Sequence, residues 1–322
     1  MLAQVSAALA ATPLFAALAS GTRVLAQISA AVLKPGDIVY TDSGDAVHGG
    51  YVIKVDPGTG QKTIISSGNL LRNPLGVAIL PNGQLVVSDS GRLILIDPAS
   101  GNQALLADAS NPALGYPYGI AVNRFGWILV ASSRGVVQVD PTTGQTQPVS
   151  TGGLFRSPRA VAVAMDGHIY VLDVSSAVKQ IVRVNPVSGT QHLVRQGGHF
   201  KNPQGIAILG NYLFVTDVVT ADGNFGDGCI IRLDAHTGMP SVLTHGQNLV
   251  GPLGIAVDAM GRLIVADPYT INPKSPDIRD GGYDGGIIRI NLNNDRQSLL
   301  TRGQDSYVNP RGVAVVPHLG PK

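Results

Sequence analysis

Two short stretches of this 322-residue chain place oxygen donors close enough together to suggest a hard cation: Asp222-x-Asn224-x-x-Asp227 and Asp280-x-x-x-Asp284. Both read as loose calcium loops, because calcium gathers carboxylate, amide and main-chain oxygens. Neither closes with the Glu that an EF-hand loop needs. The chain contains no Glu at all: its 21 acidic residues are all Asp. That absence removes every mechanism that needs a glutamate acid, base or ligand. Set among glycines, these aspartates also read as turn-formers that accept backbone N–H groups; the calcium role is the alternative. The histidines are scattered, and no two share one element at metal-ligand spacing. Cys229, the single cysteine, lies in the apolar run "GCIIRLD" and reads as a buried strand residue rather than a nucleophile. No Gly-x-Ser-x-Gly elbow raises one serine above the rest. With 23 Lys and Arg against 21 Asp, the net charge is +2, and no long basic run exists. This argues against a nucleic-acid partner, which requires clustered cations.

The elements that must carry these residues show as a repeat. Pro-x-Gly followed by an apolar run occurs as "NPLGVAI" (73–79), "YPYGIAV" (116–122), "SPRAVAV" (157–163), "NPQGIAI" (202–208), "GPLGIAV" (251–257) and "NPRGVAV" (309–315). In the third copy Ala160 replaces the glycine. A second run, such as "QLVVSD" or "RLIVAD", follows in each unit, then a third ending in a turn such as "DPGTG", then a weaker fourth. The alternation and β-branched content predict four short strands per unit, a to d. In "DPGTG" the Asp caps the turn, Pro presets φ and Gly supplies the left-handed residue. A phosphate loop would need a Lys and a following helix.

The chain enters at "GDIVYTD" (36–42), which matches strand b, and the missing first strand a stands at the other end as "RGVAVVP" (311–317). The fold class expected is therefore all-β: a six-bladed β-propeller of four-stranded antiparallel blades, closed by pairing the C-terminal strand a with the N-terminal strands of blade 1. The propeller is assigned to residues 35–322. Residues 1–34, rich in Ala and Leu with no charge before Arg23, read as a signal-peptide-like leader, with an uncleaved anchor as the alternative. No later segment is long and apolar enough to span a membrane.

The units "P-x-G-I-A-V … G-x-L-x-V-A-D … I-x-R-I-D-P-x-T-G" resemble NHL-type repeats of six-bladed propellers, and more broadly the SMP-30/gluconolactonase lactonases and virginiamycin B lyase. The resemblance implies that strand a lines a central channel and that the d–a and b–c connections share the ligand-binding face. On that placement the residue between Pro and Gly rings the channel mouth: Arg311, Leu75, Tyr118, Arg159, Gln204 and Leu253. The lactonase calcium centre that the resemblance implies needs Asn, Asp and Glu at this entrance, and the lyase pairs His with Glu; neither set is present. Arg159 and Arg311 lie three blades apart and face one another, a pair able to hold a carboxylate, phosphate or sulfate. The competing reading pairs each Arg with a second ring at the end of strand b: Asp42, Asp89, Ser132, Asp173, Asp217 and Asp267. Those aspartates read as acceptors for backbone N–H groups of the next turn, with a hard cation such as calcium as the alternative.

Long b–c connections at 43–50, 218–228 and 268–286 belong to the consecutive blades 1, 5 and 6. They form an expected wall carrying His48, Asp222, Asp227, Arg279, Asp280, Tyr283 and Asp284. The function expected is an extracytoplasmic, secreted or periplasmic propeller that binds a small ligand or a protein partner on this face, with calcium the one cofactor considered. Arg159, Arg311, Tyr118 and Gln204 supply the floor, and His48, Arg279 and Tyr283 the ligand contacts of the wall. The alternative is a metal-dependent hydrolase, lactonase- or esterase-like, or a lyase with its site at the channel mouth.

Overall fold

The computed structural model describes residues 32–45, 49–219, 225–270, 285–302 and 309–318. The leader, apart from its last three residues, lies outside the described residues. No helix occurs among the described residues, in keeping with a chain that uses Asp, a turn former, in place of Glu. Six four-stranded antiparallel sheets make up the molecule. Blade 1 joins Pro310–Val315 to Ile38–Asp45, Gly49–Val55 and Lys62–Ser67. Register pairs Ile38 with Val315 and Tyr40 with Val313, so the two ends of the chain close the ring. The inner strands of blades 2 to 6 are Pro74–Ile79, Pro117–Val122, Pro158–Val163, Pro203–Leu209 and Ile255–Val257.

Six apolar clusters hold the blades together, one between each consecutive pair. Between blades 4 and 5, for example, Leu172 and Ile181 meet Ile206, Val215 and Ile231. Strand b is packed against a neighbour on both faces, and every residue of Leu85–Asp89, Ile128–Ser132 and Leu263–Asp267 is buried. Burial on two faces explains why these strands read as continuous apolar runs. The outer strand Gln103–Asp108, by contrast, leaves Ala104 and Leu105 exposed.

The innermost contact is backbone on backbone. A Cβ on Gly205 would lie 2.4 Å from the Leu253 carbonyl oxygen of the next blade. On Gly254 it would lie 2.4 Å from the Arg311 carbonyl, and on Gly312 2.4 Å from that of Leu75. The glycine of each Pro-x-Gly therefore admits the carbonyl of the neighbouring x residue. In blade 4, where Ala160 stands instead, the alanine joins the apolar cluster between blades 4 and 5. Hydroxyls reinforce three of these junctions. Thr216 Oγ1 accepts the Gly205 N–H at 2.8 Å and donates to the Leu253 carbonyl at 2.7 Å. Thr41 makes the same pair of bonds with Gly312 and Leu75, and Ser88 with Gly76 and Tyr118.

The aspartates at the ends of strand b are all fully buried, and each is occupied by backbone donors. Asp217 accepts the N–H groups of Lys201 and Asn202, both at 2.8 Å, and Asp267 those of Val250 at 2.8 Å and Gly251 at 3.0 Å. Asp89 and Asp173 do the same for Arg72 and Asn73, and for Arg156 and Ser157; Asp42 takes Asn309. The donors thus belong mainly to the connection leading into the blade's own strand a, a dozen or more residues upstream in blades 2, 4, 5 and 6, rather than to the following turn. Three members also serve the turn: Gly44, Val219 and Tyr269 donate to Asp42, Asp217 and Asp267. In blade 3, where Ser132 breaks the pattern, Ser133 Oγ accepts the Tyr116 N–H at 2.9 Å. Burial pushes the carboxyls of Asp42 and Asp217 up, against the pull of these donors, and raises Asp267 to about 6.

The "DPxTG" turns behave as their composition predicts. Asp140 Oδ1 accepts the N–H groups of Thr142 and Thr143, and Asp56 those of Gly58 and Thr59. Side-chain amides also join neighbouring blades. Gln103, Gln191 and Gln297 open the outer strands of blades 2, 4 and 6 and bond across to the preceding blade. Gln297 Nε2 donates to Thr244 Oγ1 at 3.0 Å, while its Oε1 accepts the Asn248 N–H at 3.0 Å.

Two outcomes follow from these contacts. Gly254→Ala forces a methyl onto the Arg311 carbonyl and should lower stability by about 1–3 kcal/mol, read as the loss in urea unfolding free energy; an unchanged value would show that the inner contact is not tight. Asp267, with its folded pKa raised, holds its proton more firmly in the native state. Its contribution is therefore complete below about pH 4 and is lost as pH rises through about 6. The stability difference between wild type and Asp267→Asn should fall by about 3 kcal/mol across that window, measured by unfolding at pH 4, 5, 6 and 7. A flat or rising difference would contradict it.

Candidate functional site: the channel mouth

Strand a of each blade delivers its x residue to one end of the central channel. Arg311, Leu75, Tyr118, Arg159, Gln204 and Leu253 all line a single cavity of ≈ 150 Å³. Alternate residues of a strand face the same way. Two positions further along each strand, Val77, Ile120, Val161, Ile206, Ile255 and Val313 therefore form a second, wholly aliphatic tier of the same cavity. The four polar residues expected as the floor are thus brought together, with the two leucines between them.

Their partners differ. Gln204 is held by its own loop, Nε2 donating to Asn202 Oδ1 at 2.7 Å. Tyr118 packs beside Tyr116, ring centroids 5.1 Å apart. Arg311 is half-buried and its Nε reaches Ser43 Oγ at 3.5 Å, the outer limit of a hydrogen bond. Arg159 reaches solvent through the mouth, and among the described residues it makes no hydrogen bond or ion pair. None of the residues lining the cavity is acidic. Desolvation by the surrounding channel pulls the Arg159 guanidinium below its ordinary value; Tyr118 opposes this, and the Arg311 charge adds to it. The two guanidiniums therefore sense one another across the mouth.

The competing reading, in which the arginines pair with the strand-b aspartates, does not describe this geometry. Those carboxylates are occupied by backbone N–H groups, and among the described residues the arginine that meets one of them is Arg92, 3.6 Å from Asp89. Arg311 acts on Asp42 only as a minor charge effect beneath burial. Hydroxyl clamps reach three of the six mouth carbonyls. The carbonyls of Leu75, Tyr118 and Leu253 are bonded by Thr41, Ser88 and Thr216. Among the described residues no such hydroxyl reaches those of Arg159, Gln204 and Arg311. The signal in the sequence was the hydroxyl residue before the strand-end Asp in "YTD", "VSD" and "VTD".

The wall is described only in part. His48, Asp222, Arg279, Asp280, Tyr283 and Asp284 lie outside the described residues. Asp227 stands on a strand, Phe225–Asp234, rather than in a loop, with Oδ1 3.3 Å from His245 Nδ1. The connections of blades 1 and 5 are in fact lengthened hairpin arms, with Asp45 paired to Gly49 and Val219 to Phe225. Among the described residues no group of three or more His, Cys or Asp side chains is placed to hold a metal ion. Cys229 is buried, and desolvation followed by the charges of Asp217 and Asp227 pushes its thiol up to about 12, which leaves no reactive thiolate near neutral pH. No helix among the described residues is long and apolar enough to cross a membrane.

No protein-family model matches the chain, and no curated protein matches it in sequence. The NHL-type likeness therefore rests on the repeat motifs alone. Solved structures do match in shape. One is a chain of the crystal structure of a nidogen/laminin complex, with a TM-score of 0.62 and 14% identity over 87% of this chain and 98% of that one. At that identity the likeness shows the fold: this protein is a six-bladed β-propeller.

Proposed function

We propose that this propeller binds an anionic group of a small ligand or a protein partner on the face that carries the b–c connections, with Arg159 and Arg311 as the anion-holding pair and Tyr118 and Gln204 beside them. The observation that carries this reading is Arg159, a guanidinium without a protein partner among the described residues. It shares a cavity that has no acidic lining residue with a second guanidinium on the opposite side of the ring. Two like charges held in one partly desolvated mouth repel each other, and an incoming carboxylate or sulfate relieves both costs at once. The guanidinium forks match such oxygens in shape as well as charge. The nidogen/laminin neighbour lends support to a partner-binding use of this architecture. The apolar leader supports export from the cytoplasm.

Titration with sodium sulfate and with sodium acetate, followed by backbone amide shifts at Tyr118 to Val122 and Arg159 to Val163, tests the reading. Each guanidinium contributes a charge-assisted hydrogen bond, so Arg159→Met should weaken binding about tenfold or more, and Arg159→Met with Arg311→Met should abolish it. Equal shifts in wild type and double variant would overturn the assignment.

A further inference from the structure

Below the two arginines the cavity changes character, and that change narrows the ligand class. The second tier is made of six β-branched aliphatic side chains, one from each blade: Val77, Ile120, Val161, Ile206, Ile255 and Val313. Core residues on strands b and c, such as Val87, Val130 and Ile288, are completely buried, whereas five of the six tier residues keep between 4% and 8% of their surface: Val77, Val161, Ile206, Ile255 and Val313. Part of that residual surface lines the channel cavity, while the same side chains also pack in the clusters between blades. A hydrated inorganic anion at the mouth would leave it wet. An apolar group attached to the anion would cover it.

We propose that the channel takes a small organic monoanion tail-first: a carboxylate held between Arg159 and Arg311, carrying an alkyl or aryl body that fills the aliphatic tier. This rests on the anion-binding reading above and adds the chemical class of the ligand. Size sets the body. A cavity of ≈ 150 Å³ is on the scale of an apolar cavity that accepts benzene, so a body of about four to six carbons fits and a long lipid chain does not. Polarity sets its chemistry. The six tier side chains offer no donor or acceptor, so hydroxylated bodies such as sugar acids would lose their hydration without compensation. Position sets its orientation. The tier residue follows the x residue by two positions in each blade, at most about 7 Å along the channel, a span that a short acyl or phenyl group can cover.

Calorimetric titration of the full chain with acetate, butanoate, hexanoate, benzoate, dodecanoate and sulfate at fixed ionic strength tests this directly. Affinity should rise about three- to fourfold per methylene from acetate to hexanoate. Benzoate should fall near hexanoate, and dodecanoate should gain nothing further. In Val161→Phe, which fills the tier, the dependence on chain length should vanish while acetate and sulfate still bind. If acetate, hexanoate and sulfate bind alike and Arg159→Met weakens all of them, the anion site stands and the amphiphile inference is overturned. A chain-length dependence that persists in Val161→Phe would place the tail elsewhere and overturn it too. If no anion distinguishes wild type from Arg159→Met, the anion reading itself falls. The wild-type series stands independently of whether Val161→Phe folds.

Discussion

The approach of one blade's carbonyl to the preceding blade's glycine at the channel wall is the contact on which the rest of the structure depends. It brings the inner strands closer than any side chain would allow. A Cβ at Gly205, Gly254 or Gly312 would sit 2.4 Å from a neighbouring carbonyl oxygen, a separation no folded chain tolerates without shifting backbone. The narrow channel follows, and so does the convergence of six x residues on one mouth. The prolines before them have no N–H to satisfy. The two preceding residues do have N–H groups, and the buried strand-b aspartates accept them in blades 2, 4, 5 and 6. Glycine, proline and aspartate thus form one device, repeated around the ring, that fixes where the mouth side chains begin.

Much of this was legible because the device repeats. Five Pro-x-Gly copies and one Pro-x-Ala copy revealed the blade count, and the orphan strand at 311–317 revealed how the ring closes. The mouth ring was legible too, since every x position occupies the same place in its blade. What escaped the sequence are interactions between blades whose partners lie far apart in the chain. The Asp217 carboxylate could be expected to cap a turn from local chemistry. That it reaches back to Lys201 and Asn202 depends on the three-dimensional return of strand b beside strand a. The Gln297 bridge to Thr244 spans two blades and has no local signature. Nor did the loop lengths of blades 1 and 5 reveal that the extra residues extend hairpin arms, since Asp45↔Gly49 and Val219↔Phe225 pairing is a matter of register rather than composition.

The mouth is where the repeat is broken. Leucine occupies the mouth in blades 2 and 6, and that choice would suit a plug. Blades 1 and 4 instead place arginines opposite one another. Every strand-b aspartate that might neutralise them is committed to backbone. A ring built for close packing then leaves two cations at its opening, above a tier of aliphatic side chains. Like-charge repulsion across the mouth disfavours such an arrangement in the free protein, and a bound anion would relieve it. Because the glycine contacts fix the inner strands beneath, such a site would be preformed and would need little ordering on binding.

Crystals grown or soaked with selenate, and measured at the selenium absorption edge, address the central claim most directly. The account predicts an anomalous peak on the channel axis at the level of the x residues, within hydrogen-bonding distance of the guanidiniums of both Arg159 and Arg311. A mouth without that peak, with the two arginines turned onto carboxylates of the protein, would contradict it.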